Sequence, residues 1–492
     1  MILPSYSFIF IFLPATAILY WVANSRKLYT LGKIILLAGS LLFYGMLTPG
    51  IKGLTALIIC AAFCYVISTF GIARASSPAL RKTLLSVGVT ASILFLIYCR
   101  YLAYIDQLIT QAGGAGFTFE AIVVPVGISY LTFSQIAYLV DTYRDPSLKY
   151  SFLDYMLFIS FFPKVSVGPI ALTTELIPQF NDTLRKNIDY DKMAVGFYRF
   201  TLGLAKKLLI ADNLGAYVDL GYQNIANLHS PDALLVIVSY TLQLYFDFSG
   251  YCDLASGMCL MLGLDLCENF DGPYHSLSIR EFWKRWHISL TRFFRNYVYI
   301  PMGGNRKGKV RTYFNNLFIF IVSGLWHGAA THFVLWGAVH GVGMIISKLI
   351  SPVTEKIPKF IRWFLTFTFV SFAWVLFRAG DTTVAMDMFR QLFTGGIAPL
   401  NNGIIAGCVP TECQFLQWLV LMAAPDLTFV SGCAIWIGLV AAALYFSAFA
   451  KTMKQRCDGF VATKGKVLIT VILFTWSVLS LSEVAEFLYV NF

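Results

Sequence analysis

Charged residues are scarce in this chain of 492 residues: Asp, Glu, Lys and Arg together make up 13% of it, about half their share in an average soluble protein. Hydrophobic residues make up 58%, and the mean hydropathy is +0.69. No polar stretch long enough to form a soluble domain separates the apolar segments, which recur from one end of the chain to the other. These properties argue against a soluble fold and predict a single membrane-embedded domain over residues 1–492.

Several signatures of catalysis and metal binding are also absent from the sequence. It contains no G-x-S-x-G elbow, no Gly-rich phosphate loop and no H-E-x-x-H motif. The ten cysteines lie mostly in apolar segments and lack paired zinc-ligand spacing. The sequence does not decide whether Cys408 and Cys413 form a disulfide. The net charge of +11 comes from basic residues at the ends of apolar runs, as in membrane anchoring. We therefore expect no bound metal and no nucleic-acid partner.

Apolar segments of about 20 residues, the length that a helix needs to cross a bilayer, are abundant. They predict an all-α, polytopic membrane protein with about 11–13 transmembrane helices and additional interfacial or re-entrant helices. The first segment lacks a basic n-region and a cleavage site, so we expect it to be retained. Residues 380–431 are rich in Gly, Pro and Asn and are interpreted as a loop with an interfacial helix. The expected spans are 6–23, 32–48, 52–73, 84–104, 121–140, 152–170, 194–212, 232–264, 312–326, 332–350, 361–378, 432–450 and 466–485.

The segment 274–311 is both basic and aromatic. From Arg280 to Arg311 it contains nine Lys and Arg residues and a single acid, Glu281. Placed on one helix at about 100° per residue, residues 280–297 have aromatic side chains on one side and basic ones on another. This pattern predicts an amphipathic helix in the membrane interface, on the cytoplasmic side by the positive-inside rule.

Three of the six histidines lie in one apolar stretch, GLWHGAATHFVLWGAVHG, where an imidazole is costly unless it has a partner or a function. His327 is flanked there by Trp326 and Gly328, which leave room for a ligand beside the ring. His332 and His340 fall on other helical faces, so we expect them to pack or hydrogen-bond rather than to form a metal cluster. Structural hydrogen bonding at His327 remains an alternative to catalysis.

Three other polar residues stand out against apolar or basic surroundings. His287, in RWHISL, is a second candidate for proton transfer. Asp247 and Asp253 interrupt the apolar run FDFSGYCDLASG, where each carboxylate would cost about 2.5–3.5 kcal/mol at a bilayer centre. For these two acids, structural hydrogen bonding is favoured over catalysis.

Two blocks, ENFDGPYHSLSIREFWKRWHISLTRFFRNYVYIPMGGNR and GLWHGAATHFVLWGAVHG, together resemble the membrane-bound O-acyltransferase family, and its alginate O-acetyltransferase branch in particular. VPVGISYLTFSQIAYLVDTYR, FFPKVSVGPI and the terminal EFLYVNF are also similar to family blocks, so the resemblance covers most of the chain. It implies a helical fold around a central tunnel, with His287 and His327 as the two functional histidines of the family.

The resemblance also implies a function: transfer of an acyl group, most simply acetyl, from a cytoplasmic thioester across the bacterial inner membrane toward hydroxyls of an exported polysaccharide. The donor would be acetyl-CoA or an acyl-carrier thioester, with no bound cofactor. The implied partners are a periplasmic SGNH-like acyltransferase and the polysaccharide synthase. His327 is the predicted base, and His287 would orient the donor or polarise its carbonyl. The tentative donor site comprises Arg280, Trp283, Lys284 and Arg295, and the polar positions expected to line the tunnel or serve structure are Asp247, Asp253, Asn305 and Trp326.

Two alternatives remain open at this point. The first, within the same family, is D-alanyl transfer from a carrier protein to a cell-envelope polymer. The second is a polytopic transporter that uses Asp247 and Asp253 in a broken helix. Transporters commonly have paired interrupted segments in two repeats, and the sequence contains one such segment, which disfavours this class.

Overall fold

The computed structural model describes residues 3–48, 51–111, 113–114, 125–483 and 488, and within these ranges it is built from helices without any β-strand. The all-α fold class is confirmed. The first third contains α1 (Leu13–Ser25), α2 (Tyr29–Leu47), α3 (Ile51–Val66), α4 (Pro78–Arg100), α5 (Leu102–Gln111), α6 (Ile128–Arg144), α7 (Phe152–Ser160) and α8 (Thr173–Asn181).

The remaining two thirds of the chain contain both histidines of the candidate site. The middle of the chain contains α9 (Tyr190–Ala205), α10 (Asp212–Gln223), α11 (Ser230–Met261), α12 (Ile279–Arg285), α13 (Ile288–Phe294), α14 (Gly308–His327) and α15 (Thr331–Leu349). The last part contains α16 (Ser351–Thr354), α17 (Lys359–Arg378), α18 (Thr382–Thr394), α19 (Asn402–Gly407), α20 (Thr411–Ala423), α21 (Thr428–Ala448), α22 (Met453–Asp458) and α23 (Lys464–Leu479).

Eight helices in the described part of the chain are long and apolar enough to cross a membrane, which makes this a multi-pass membrane protein. This number is lower than the expected 11–13 because several apolar runs fold into shorter helices. The expected span 152–170 is α7 followed by a buried loop, and 194–212 is divided between α9 and a π-helical turn. The expected span 121–140 lies partly outside the described residues. The eight helices are Phe8–Ser25, Tyr29–Leu47, Ile51–Arg74, Pro78–Arg100, Ser230–Met261, Thr331–Leu349, Lys359–Arg378 and Pro425–Ala448.

Two regional predictions need correction. Residues 280–297 do not form one interfacial helix, because the chain turns at Trp286 and His287 and separates α12 from α13. Their aromatic side does not face lipid either: Phe282, Trp286 and Phe293 are at most 3% exposed and pack inside the protein. Residues 380–431 are mostly helical rather than a loop, since α18, α19 and α20 lie there.

Close backbone contact through glycine fixes the helical hairpin of α14 and α15. A Cβ atom at Gly324 would lie 2.2 Å from the carbonyl oxygen of Phe333, and one at Gly337 would lie 2.2 Å from that of Phe320. Only glycine fits at both positions, which is how small residues bring membrane helices together. The GLWHG and LWGAVHG stretches therefore hold the end of α14 firmly against α15.

Candidate active site

His327 is the last residue of α14, and its ring is enclosed by aromatic side chains. It is 3% exposed, and its ring centroid lies 4.7 Å from that of Trp326, 5.2 Å from that of Trp336 and 5.1 Å from that of Phe377. These neighbours come from α14, α15 and α17. The imidazole therefore sits in an apolar environment that contains little space for water.

His287 lies at the junction of α12 and α13 in a left-handed backbone conformation, with φ of 45°. Non-glycine residues rarely adopt this conformation, and it tends to occur at functional sites. The side chain is completely buried, and Nδ1 lies 3.1 Å from Oδ1 of Asn269. The ring of His287 therefore lies inside the protein, against Asn269.

The partners of Asn269 determine which nitrogen of His287 carries the proton. The backbone N–H of Ser289 donates to Oδ1 of Asn269 at 3.2 Å, and the Ser289 hydroxyl donates to it at 2.8 Å. Because that atom accepts hydrogen bonds, Nδ1 of His287 is the donor to it. A neutral His287 therefore has its proton on Nδ1 and a lone pair on Nε2.

Trp326 lies between the two histidines. Its ring centroid is 6.2 Å from that of His287 and 4.7 Å from that of His327. Tyr130 of α6 packs against both Trp326, at 5.4 Å, and His287, at 6.4 Å with the rings nearly parallel. The structure thus brings together the two histidines that the sequence singles out, although 40 positions separate them in the chain.

A cavity of about 440 Å³, here called the basic cavity, opens beside these residues between α12, α13, α14 and α15. All four residues of the tentative donor site line it, and Asn305 lines it as well. Among the described residues, Arg280, Lys284 and Arg295 form no ion pair with an acid. Three unpaired cations at the wall of one cavity are suited to binding an anionic group such as a phosphate. The lining residues that matter below are Arg280, Trp283, Lys284, Thr291, Arg295, Asn305, Phe320, Ser323 and Lys348.

Two residues that line the basic cavity lie one helical turn along the chain from the two histidines. Ser323 lines it and lies four residues before His327 on α14, about 6 Å along the helix axis. Thr291 also lines it, and its N–H donates to the carbonyl of His287 at 3.0 Å. Neither histidine lines any of the five described cavities.

The sequence predicts room for a ligand beside the ring of His327, but aromatic rings pack closely around it in the structure. Trp283, at the cavity wall, packs on Trp336 at a centroid distance of 5.9 Å, and Trp336 packs on His327. The indole N–H of Trp283 also donates to Nδ1 of His340 at 3.2 Å. Large aromatic rings occupy the space between cavity and imidazole, which composition alone could not reveal.

The carboxylates expected to line the tunnel or serve structure are held in buried ion pairs. Asp253 accepts from Nε of Arg199 at 3.0 Å and from Nζ of Lys206 at 2.7 Å. Asp247 accepts from Nζ of Lys207 at 2.8 Å and from the backbone N–H of Leu488 at 3.0 Å. These contacts neutralise both acids and join α11 to the end of α9 and the turn after it.

The other expectations concern histidines, cysteines and metals. His340 accepts the indole hydrogen bond described above, and His332 packs on Phe333 at a centroid distance of 4.3 Å. Cys408 and Cys413 are not joined by a disulfide. In the described part of the chain, no group of three or more His, Cys, Asp or Glu residues is arranged to hold a metal ion.

Sequence reasoning did not single out three residues that contact the site: Asn269, Tyr130 and Arg100. Asn269 is part of the ENFDG block that begins the resemblance, and Tyr130 is in VPVGISYL. Arg100 lies inside an expected span, where a charge is itself a signal of function. Its guanidinium donates to the carbonyls of Trp326 and His327, at 3.3 and 2.8 Å.

The chain matches a known protein family over more than half of its length. Residues 47–380 match the model of the MBOAT family, described as the membrane-bound O-acyltransferase family. This match covers more than half of the chain and shows that the protein is an acyltransferase. The chain belongs to the membrane-bound O-acyltransferase family, as the resemblance predicted.

Its relatives include several proteins with O-acetylation in their names. The chain is 36% identical over 431 residues to the probable alginate O-acetylase AlgI of Pseudomonas aeruginosa, covering 86% of this chain and 81% of the relative. It is 34% identical over 440 residues to the peptidoglycan O-acetyltransferase of Helicobacter pylori, covering 83% and 82%. The teichoic acid D-alanyltransferase of Bacillus subtilis is 30% identical over 273 residues, covering 51% and 68%.

Proposed function

We propose that this protein transfers an acetyl group from a cytoplasmic thioester toward hydroxyl groups of an exported cell-envelope polysaccharide. The observation that carries the proposal is the position of the basic cavity, whose lining residues Thr291 and Ser323 lie one helical turn along the chain from His287 and His327. A cavity with unpaired cations accounts for donor binding, and the buried imidazoles account for proton transfer. The site of action is the bacterial inner membrane.

The donor binds through its phosphates. Arg280 and Lys284 line both the basic cavity and an adjoining polar cavity of about 520 Å³, so they can reach an anion that spans the two. Acetyl-CoA and an acyl-carrier phosphopantetheine arm both contain phosphate next to a thioester arm. The apolar wall of the basic cavity, formed in part by Trp283 and Phe320, accepts the arm and directs the thioester toward the histidines.

The reaction is a direct exchange at the acyl carbon. The acceptor hydroxyl oxygen attacks the thioester carbonyl, the carbon–sulfur bond breaks, and the donor leaves as a thiol. His327 takes the hydroxyl proton during attack and returns it to the departing sulfur, a type of assistance that contributes about 10²–10⁴-fold. The aromatic enclosure excludes water, which would otherwise hydrolyse the thioester.

The hydrogen bond to Asn269 refines the expected role of His287. A neutral ring protonated at Nδ1 has no N–H at Nε2 and therefore cannot donate a hydrogen bond to the donor carbonyl from that atom. It can accept one, so we assign His287 the task of orienting the acceptor hydroxyl. Donor binding must also move the indole rings of Trp283 and Trp336, which lie between the basic cavity and His327.

The names of the relatives support acetyl as the transferred group and a cell-envelope polysaccharide as the acceptor. Those covering more than four fifths of this chain are named for O-acetylation of alginate or peptidoglycan, whereas the D-alanyltransferase relative covers about half of it. This difference favours acetyl transfer over D-alanyl transfer. A periplasmic SGNH-like acyltransferase would relay the acetyl group to the polymer, and a polysaccharide synthase would supply that polymer.

The test uses the full-length protein in liposomes, with radiolabelled acetyl-CoA outside and the acyl-relay partner and an oligosaccharide acceptor inside. We expect label on the acceptor, and a parallel assay with a carrier-bound D-alanyl thioester should give none. Label transferred only from the D-alanyl carrier would show that the protein transfers D-alanine and not acetyl. No label from either donor, in liposomes that also contain the acyl-relay partner, would contradict the proposed function.

A further inference from the structure

The C-terminal end of α14 lacks helical partners for its last carbonyl groups, as every helix end does. Side chains from the end of α4 supply them. The Tyr101 hydroxyl donates to the carbonyl of Leu325 at 2.6 Å. Arg100 donates to the carbonyls of Trp326 and His327, so the backbone of His327 is bound directly by a guanidinium.

The same guanidinium binds a second element of the site. Nη1 of Arg100 also donates to the hydroxyl of Ser129 at 2.6 Å. Ser129 is in the first turn of α6 and precedes Tyr130, whose ring stacks on His287. Arg100 therefore contacts both the helix end that bears His327 and the helix that packs on His287.

The charge of Arg100 is used in these contacts and not in an ion pair. No carboxylate in the described part of the chain lies within ion-pair distance of it. A cation at the C-terminal end of a helix is favoured by the partial negative charge of the free carbonyls. The flat guanidinium with its fixed donor directions can bind several oxygens at once, which a lysine ammonium at this position could not reproduce.

We propose that Arg100 is a positioning residue for acyl transfer: it holds the backbone of His327 at a fixed distance from Tyr130 and His287. The expected effect of Arg100 on kcat rests on the proposed function. Its effect on the position of the His327 backbone rests only on the contacts above. Tyr101, which binds the same helix end one residue earlier but does not contact α6 through its hydroxyl, has no such role.

The test compares Arg100→Gln, Arg100→Lys and Tyr101→Phe in full-length protein. We expect Arg100→Gln to lower kcat about 10- to 100-fold, because small misplacements of reacting groups have effects of this size, with KM for the donor changed less than twofold. Arg100→Lys should fall between this variant and the wild type, and Tyr101→Phe should retain nearly full kcat. Equal losses in Arg100→Gln and Tyr101→Phe would indicate a general helix-end role and overturn the proposal.

Two further measurements keep the test decisive. Ser129→Ala removes only the contact to α6 and should lower kcat several-fold, which provides a reading even if Arg100→Gln does not fold. Hydrogen exchange at residues 128–131 and 325–328 reports the structural link without any activity assay. We expect faster exchange at both segments in Arg100→Lys. Exchange at the wild-type rate in both segments would overturn the proposal, whether or not acyl transfer is observed.

Discussion

Asn269 holds His287 by a 3.1 Å contact between Oδ1 and Nδ1, and this contact decides the chemistry that the ring can perform. The same oxygen accepts two hydrogen bonds from Ser289, while the amide nitrogen of Asn269 donates to the sulfur of Cys252 at 3.3 Å. These contacts prevent the amide from rotating. The lone pair of His287 is therefore fixed at Nε2, because the hydrogen bond made by one ring nitrogen sets the protonation of the other.

Replacing Asn269 tests this assignment. Asn269→Leu removes the acceptor at Nδ1, so the ring can adopt either tautomer, and we expect kcat to fall about 10- to 100-fold. Asn269→Asp keeps an oxygen acceptor and should retain more activity than Asn269→Leu. The measurement is acetyl transfer at saturating donor, with thermal unfolding in detergent as the folding control. Equal kcat in Asn269→Leu and the wild type would contradict the role given to His287.

The basic cavity provides a second prediction, about donor affinity. Arg280→Gln and Lys284→Gln each remove a cation from the wall shared by two cavities, and we expect KM for acetyl-CoA to rise about three- to tenfold, since 1.4 kcal/mol corresponds to a factor of ten. The value of kcat should change little. Lys309→Gln removes an exposed cation of the same basic segment outside the cavity and serves as the matched control. A KM increase of equal size in that control would show that net charge, rather than the cavity, attracts the donor.

The sequence predicts much of this site because its chemistry is carried by residue types that are rare in apolar segments. Three histidines in one run and a basic segment with a single acid identify His287, His327, Arg280 and Lys284 directly. The contacts made by Asn269 and Arg100 depend on how distant segments fold together, so no local pattern reveals them. The break at His287 was missed for a related reason: the period of 280–297 suits one helix, and tertiary packing of the aromatic side chains favours two.

The α14–α15 hairpin gives a prediction about stability. A methyl group at position 337 would overlap the carbonyl oxygen of Phe320, so Gly337→Ala must separate two packed backbones. We expect a loss of about 1–3 kcal/mol, measured as a lower unfolding temperature in detergent. Gly438→Ala is the control, because a Cβ at Gly438 meets no atom within 4 Å. Unchanged unfolding in Gly337→Ala would mean that the helices are packed less closely than described here.

The buried ion cluster on α9 and α11 gives another prediction about stability. Arg199 binds Asp253 and also Glu268, at 2.7 and 2.6 Å, so Arg199→Met leaves buried carboxylate charge without its main partner. Such losses cost about 3–5 kcal/mol. Arg390→Met breaks an exposed pair with Asp387 and should cost less than about 1 kcal/mol. Equal stability of the two variants would contradict a structural role for the Asp253 cluster.

The central claim is that the imidazole at position 327 accepts the proton of the attacking hydroxyl. Its most direct test is the single-turnover rate of acetyl transfer in His327→Ala and in His332→Ala, a buried histidine of α15 with no assigned role in the reaction. We expect a fall of about 10²–10⁴-fold for His327→Ala and a near wild-type rate for His332→Ala, with donor binding preserved in both. Transfer at the wild-type rate in His327→Ala would contradict the role of His327 as the base.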